Sequence, residues 1–139
     1  MLRYDTFYSK NSLYNTPPAF CIYMVGKTAK WIKAQGGLEA MAERNKKKAA
    51  LVYDAIDSSD GFYRGHADVD SRSFMNVTFR LPSEELEKKF AAEALEQGLS
   101  GVKGHRSVGG MRTSIYNAMP YEGCEKLADF MKKFQQANK

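Results

Sequence analysis

Cysteine is scarce: the 139-residue chain has only Cys21 and Cys124, far apart and without a C-x-x-C pair. That excludes a disulfide-built scaffold and a thiolate metal knuckle, and it fits a reducing cytoplasmic setting with both thiols packed inertly on apolar helix faces. No apolar run approaches the roughly 20 residues that a membrane span needs. Residues 1–10 are polar and aromatic rather than signal-like, so we expect a cytoplasmic chain with no membrane partner. Internal repeats and low-complexity stretches are also missing. The most telling absence is of acid: from Gln97 through Tyr121 there is no Asp or Glu, although Lys103, Arg106 and Arg112 lie in that window.

What is present suits one domain with a real core, 43% of residues being hydrophobic. A formal charge of +5 is basic without being extreme, which favours small anions over nucleic acid. The lysines at 27, 30, 33 and 46–48 have no accompanying aromatic platform for stacking bases.

Pro17 and Pro18 open a helix with Thr16 as its N-cap. Phe20, Tyr23, Met24, Trp31 and Ile32 share one face of it, Lys27, Lys30 and Lys33 another, and Gly36 and Gly37 end it. A second helix over 38–56 turns Leu38, Met41, Ala42, Ala49, Val52, Tyr53 and Ile56 to the core and leaves Arg44 and Lys46, Lys47 and Lys48 solvated. Met75, Val77, Phe79 and Leu81 alternate with polar residues, the period of a strand with one buried face. Ser83 starts a helix with the stripe Leu86, Phe90, Ala94, Leu95, ended by Gly98. Short strands over 99–103 and 111–116 and a last helix over 121–135, burying Cys124, Leu127, Met131 and Phe134, complete an α+β arrangement, a small sheet covered by helices. The aromatics Tyr4, Phe7, Tyr8 and Tyr14 have no clear period and suggest packing against something outside the chain.

The run 104–112, Gly-His-Arg-Ser-Val-Gly-Gly-Met-Arg, sets two guanidiniums and an imidazole on a glycine-loosened backbone. An arginine fork grips carboxylate or phosphate through paired hydrogen bonds, and free amides add donors, so the run reads as a site for a small dianion. The plainer reading is a basic surface turn between strands. Other motifs are weak. Gly26, Lys27 and Thr28 lack the earlier glycine and the strand of a phosphate-binding loop, and lie in a helical pattern. His66, Asp68 and Asp70 are too scattered for a metal, and a Cys–His nucleophile pair with His105 would need a thiol that is not packed away.

Three segments together resemble the phosphoserine aminotransferases, pyridoxal-phosphate enzymes of the class V aminotransferase family: 12–18, then 75–80, then 103–118. The likeness extends over about 12–134. It implies the small C-terminal domain of the fold type I aminotransferases, preceded by two interdomain helices: 1–18 as a remnant of the large-domain and dimer-interface segment, 19–60 as connecting helices, and 61–139 as the substrate-side domain. It also implies that the Schiff-base lysine lies upstream, so the chain carries no catalytic residue of its own and is inactive alone. Asn15 and Thr16 match positions that reach the cofactor phosphate of the neighbouring subunit in a homodimer. His105 and Arg106 match residues that hold a substrate phosphate, and Arg112 matches the one that pairs with the α-carboxylate. The implied reaction moves an amino group from glutamate to 3-phosphohydroxypyruvate in serine biosynthesis. The alternative is a stand-alone phosphate- or dianion-binding interaction module.

Overall fold

A computed structural model describes residues 3–139, in two compact units, Met1–Leu38 and Glu39–Lys139. The first holds helices α1 (Tyr4–Tyr8) and α2 (Ala19–Ala34). Helix α2 begins after both prolines, so Pro18 and not Thr16 occupies the N-cap position, and no side chain caps it. Its apolar face is uncovered: Phe20 is 74% exposed, and Tyr23, Met24 and Trp31 are exposed with it. Cys21 is likewise exposed, contrary to the expected packed thiol, on a helix that buries none of its residues. Phe7 and Tyr14 meet edge-to-face at 6.0 Å, whereas Tyr4 and Tyr8 stand open.

The second unit contains nearly all of α3 (Gly37–Asp57), then β1 (Arg64–Gly65), a 3-10 turn (Val69–Ser71), β2 (Asn76–Arg80), α4 (Glu84–Glu96), β3 (Met111–Ser114) and α5 (Tyr121–Asn138). The strands form an antiparallel sheet in the order β1-β2-β3, with Thr78 opposite Arg112 and Phe79 opposite Met111. Val77 and Phe79 on β2 and Met111 and Thr113 on β3 are buried, whereas Thr78 is only partly covered and Arg112 is exposed. This is the alternation the pleat imposes on a sheet with one covered face. The buried face shares a core with Ala49, Val52 and Ile56 of α3, Phe90 and Ala94 of α4, and Leu127, Met131 and Phe134 of α5. Phe90 is the hub, with rings of Phe79 at 5.8 Å, Phe130 at 4.9 Å and Phe134 at 5.1 Å in edge-to-face geometry. Tyr63 joins the same cluster and donates its hydroxyl to the Met131 carbonyl at 2.8 Å.

Several expectations are corrected. On α3 the buried stripe is Met41, Asn45, Lys48 and Val52, at spacings of four, three and four, so Leu38 and Ala42 fall outside it and Lys48, expected in solvent, is fully enclosed. On α4, Glu87 takes the inward position and Leu95 is 63% exposed. The strand expected over 99–103 is reduced to a single bridge, Lys103 to Met111, because Gly101 and Gly104 interrupt it. Strand β1, two residues long, is too short to show a period. The N-cap expected of Ser83 is found, its hydroxyl accepting from the Leu86 N–H at 3.2 Å.

Candidate anion-binding site

The segment entering β3 folds back on itself as a narrow-necked loop. Gly104 N–H donates to the Gly110 carbonyl at 2.8 Å and Arg112 N–H to Val102 at 2.8 Å, which closes the neck; Val108 and Gly109 N–H groups both donate to the His105 carbonyl and round the tip. The glycines are required by contact as well as by conformation. A Cβ on Gly104 would land on the carbonyl oxygens of Gly109 and Gly110. One on Gly110, whose φ is +68°, would stand 2.5 Å from Arg80 Cδ.

A cleft of about 770 Å³ opens between this loop and α4. His105 and Arg106 line it, with Lys103 on the loop side and Glu84 and Lys88 on the helix side. Among the described residues, the side chains of Lys103 and Arg106 have no hydrogen-bond or ion-pair partner, although Glu84 and Glu87 line the same cleft. His105 is oriented from within the loop: its Nδ1 lies 2.7 Å from the Ser107 hydroxyl and accepts the Ser107 N–H at 3.3 Å. These contacts occupy Nδ1, and Nε2 has no hydrogen-bond partner among the described residues.

The structure does not put all three substrate-side candidates in one concavity. Arg112 projects from the exposed side of β3, opposite Thr78, and does not line the cleft. Its guanidinium makes no hydrogen bond or ion pair among the described residues. At the end of β3 Ser114 donates to Asn76 Oδ1 at 3.2 Å, and just beyond the strand the Tyr116 hydroxyl reaches that oxygen at 3.4 Å. Behind β3, the Lys48 ammonium donates to three carbonyls, Tyr116 at 2.7 Å and Ile115 and Met119 at 3.1 Å. Burial holds Lys48 below the usual lysine range; Cys124 opposes that shift and Arg44 adds to it. Asn45 donates to Asn117 Oδ1 at 2.7 Å, so α3 fixes the segment that follows β3.

Asn15 and Thr16 belong to the first unit, on an exposed stretch before α2, with no side-chain hydrogen bond among the described residues. Two neutral polar groups without a cation or an enclosing wall do not make a cradle for pyridoxal phosphate. Lys48, the one buried lysine among the described residues, has all three donors engaged, so none of its protons is available to a cofactor. No group of three His, Cys, Asp or Glu side chains among the described residues is placed to hold a metal, and no described helix is long and apolar enough to cross a membrane.

Sequence reasoning gave Arg80 and Glu87 no role in the site and placed Lys48 in solvent. Arg80 Nε meets Glu87 Oε1 at 2.7 Å and its Nη1 donates to the Val108 carbonyl at 3.1 Å. Periodicity marks Arg80 as the outward phase of a strand and Glu87 as one acid among several in a first helical turn, so neither carries a local signal of the pairing.

Residues 1–127 match the family model described as aminotransferase class-V. Over 137 residues the chain is 63% identical to a curated phosphoserine aminotransferase of Niallia circulans, covering 99% of this chain and 38% of that protein. The fold is similar to a solved phosphoserine aminotransferase from Bacillus circulans subsp. alkalophilus, with a TM-score of 0.90 and 62% identity over 99% of this chain and 38% of that one. A pyridoxal-phosphate-bound phosphoserine aminotransferase from Trichomonas vaginalis superposes with a TM-score of 0.83 at 40% identity, covering 93% of this chain and 37% of its own. The chain thus spans under two fifths of the relatives it matches.

Proposed function

The chain belongs to the class-V aminotransferase family, and from that membership we propose that it is the substrate-recognising portion of a phosphoserine aminotransferase acting in serine biosynthesis. The observation that carries the reading is the acid-free loop 103–112, whose Lys103, His105 and Arg106 line a cleft, the two cations without a hydrogen-bond or ion-pair partner among the described residues. In this reading His105 and Arg106 take the substrate phosphate, which wants several donors, and Arg112 takes the carboxylate, which wants a planar fork. Arg112 stands off the cleft, so its pairing with the carboxylate rests on the family resemblance. A molecule with an anion at each end, such as 3-phosphohydroxypyruvate, uses both sets of cations in this reading, with glutamate as the amino donor.

Pyridoxal phosphate, when bound, supplies the electron sink for amino transfer; this chain orients the substrate by charge and hydrogen bonding. The Schiff-base lysine belongs to residues outside these 139, and the chain alone is inactive. By the family resemblance, Asn15 and Thr16 add two donors to a cofactor-phosphate site whose charge and walls a neighbouring subunit of a homodimer supplies. Residues 1–18 then serve the large-domain and dimer interface, 19–60 connect, and 61–139 form the substrate-side domain of a cytoplasmic enzyme.

The test is titration of the 139-residue chain with O-phosphoserine, read by NMR. Shifts should appear at His105, Arg106 and the glycine amides, and Arg106→Ala should weaken binding about tenfold. No response at millimolar ligand overturns the dianion assignment. Added pyridoxal phosphate should give no absorbance band that borohydride fixes to one lysine; such a band would overturn the assignment of the lysine elsewhere.

A further inference from the structure

We propose that Arg80, backed by Glu87, is the positioning residue that holds loop 104–110 in its binding shape, setting where His105 and Arg106 point without itself taking the substrate. The inference deepens the reading above and rests on it for the identity of the ligand.

Arg80 ends β2, the central strand, where it pairs with Arg64 of β1 and follows directly on Phe79, the last residue of the ladder with β3. From there its guanidinium joins three parts of the unit. Nε is paired with Glu87 at 2.7 Å and Nη1 with the Val108 carbonyl at the loop tip at 3.1 Å. Glu87 is 9% exposed and its Oε1 also accepts the Leu81 N–H at 3.3 Å, so the carboxylate is held by the end of β2 as well as by α4. The loop lies directly on the arginine: added Cβ atoms at Gly109 and Gly110 would stand 3.5 Å from Nη1 and 2.5 Å from Cδ. The two glycines are the surface by which the loop rests on this side chain.

Charge decides between holding and binding. Among the cations of the cleft, Arg80 is the one already paired with a buried carboxylate and a carbonyl, whereas Arg106 and Lys103 are unpaired. An anion gains most from the unpaired pair. The fork geometry is what the role needs, since one planar group addresses Glu87 and Val108 at once, and an ammonium is a single point charge.

Amide hydrogen exchange on the unliganded 139-residue chain tests this directly. In Arg80→Lys, which keeps a cation beside Glu87, the Gly104, Val108 and Gly109 amides should exchange about tenfold faster, while those of Val77 and Thr113 stay within about twofold. The dissociation constant for O-phosphoserine should rise about three- to tenfold. Glu87→Gln, which keeps the shape and loses the charge, should move the same amides in the same direction. Loop exchange unchanged in both variants overturns the proposal, and so does an equal rise in loop and ladder, which marks a general structural role. A wild-type chain that ignores O-phosphoserine overturns the ligand reading alone, because the exchange comparison needs no ligand.

Discussion

Lys48 is buried with no carboxylate beside it among the described residues; three backbone carbonyls take its three protons instead. Two effects oppose each other when it is replaced. An apolar side chain removes the cost of burying an ammonium, but it leaves the carbonyls of Ile115, Tyr116 and Met119 without their donor, and a buried acceptor left unsatisfied costs about 1–3 kcal/mol. With three acceptors at stake the second effect wins. Lys48→Met should lose about 3 kcal/mol of stability, seen as a lower urea midpoint with an unchanged slope; a loss under about 1 kcal/mol would show that the carbonyls find water. This residue was not legible in the sequence. A lysine in a run of three reads as solvent-facing, and only the turn after β3, far along the chain, supplies its partners. Glu87 was hidden in the same way, whereas Val77 and Phe79 were plain because their neighbours in sequence already declare the alternation.

At the level of elements, the loop before β3 depends on backbone passing close to backbone. Gly104 has no room for a methyl group, and the atoms it would strike are carbonyl oxygens rather than a movable side chain. Gly104→Ala should therefore open the neck, costing about 1–3 kcal/mol and most of the O-phosphoserine affinity, while the β2–β3 ladder keeps its exchange protection. Retained affinity with an intact Gly104-to-Gly110 hydrogen bond would contradict this account. The helices were readable to within a few residues wherever a punctuating signal was present, as with Ser83 before α4 and Gly98 after it. They were misread where an apolar face promised a core. Helix α2 has the pattern of a buried helix and none of the burial, because amphipathicity records that a face needs covering and not what covers it.

Across the whole molecule, the two units differ in how they are held. The first buries no residue of α1 or α2, whereas the second is organised around Phe90. Phe90→Ala removes the ring that links α4 to the sheet through Phe79 and to α5 through Phe130 and Phe134, and should cost about 3–5 kcal/mol by chemical denaturation of the full chain. A cost near 1 kcal/mol would mean that the surrounding rings collapse into the gap. The α+β class was legible from element order, and the cationic loop from composition. The division of the candidate site was not: which arginine is tied down and which is left open depends on a pairing between β2 and α4 that no local pattern encodes.

That division also bears on the rate of encounter. Glu87 is paired with Arg80, Glu84 and Lys88 on the helix side contribute one charge of each sign, and residues 97–121 contain no acid. The potential ahead of the cleft is therefore that of Lys103 and Arg106, and it acts on a dianion before any bond is made. Counter-ions shorten its reach from about 30 Å at 0.01 M salt to about 8 Å at 0.15 M. Salt should thus slow arrival, while residence time, set by the short bonds at the loop tip, changes far less.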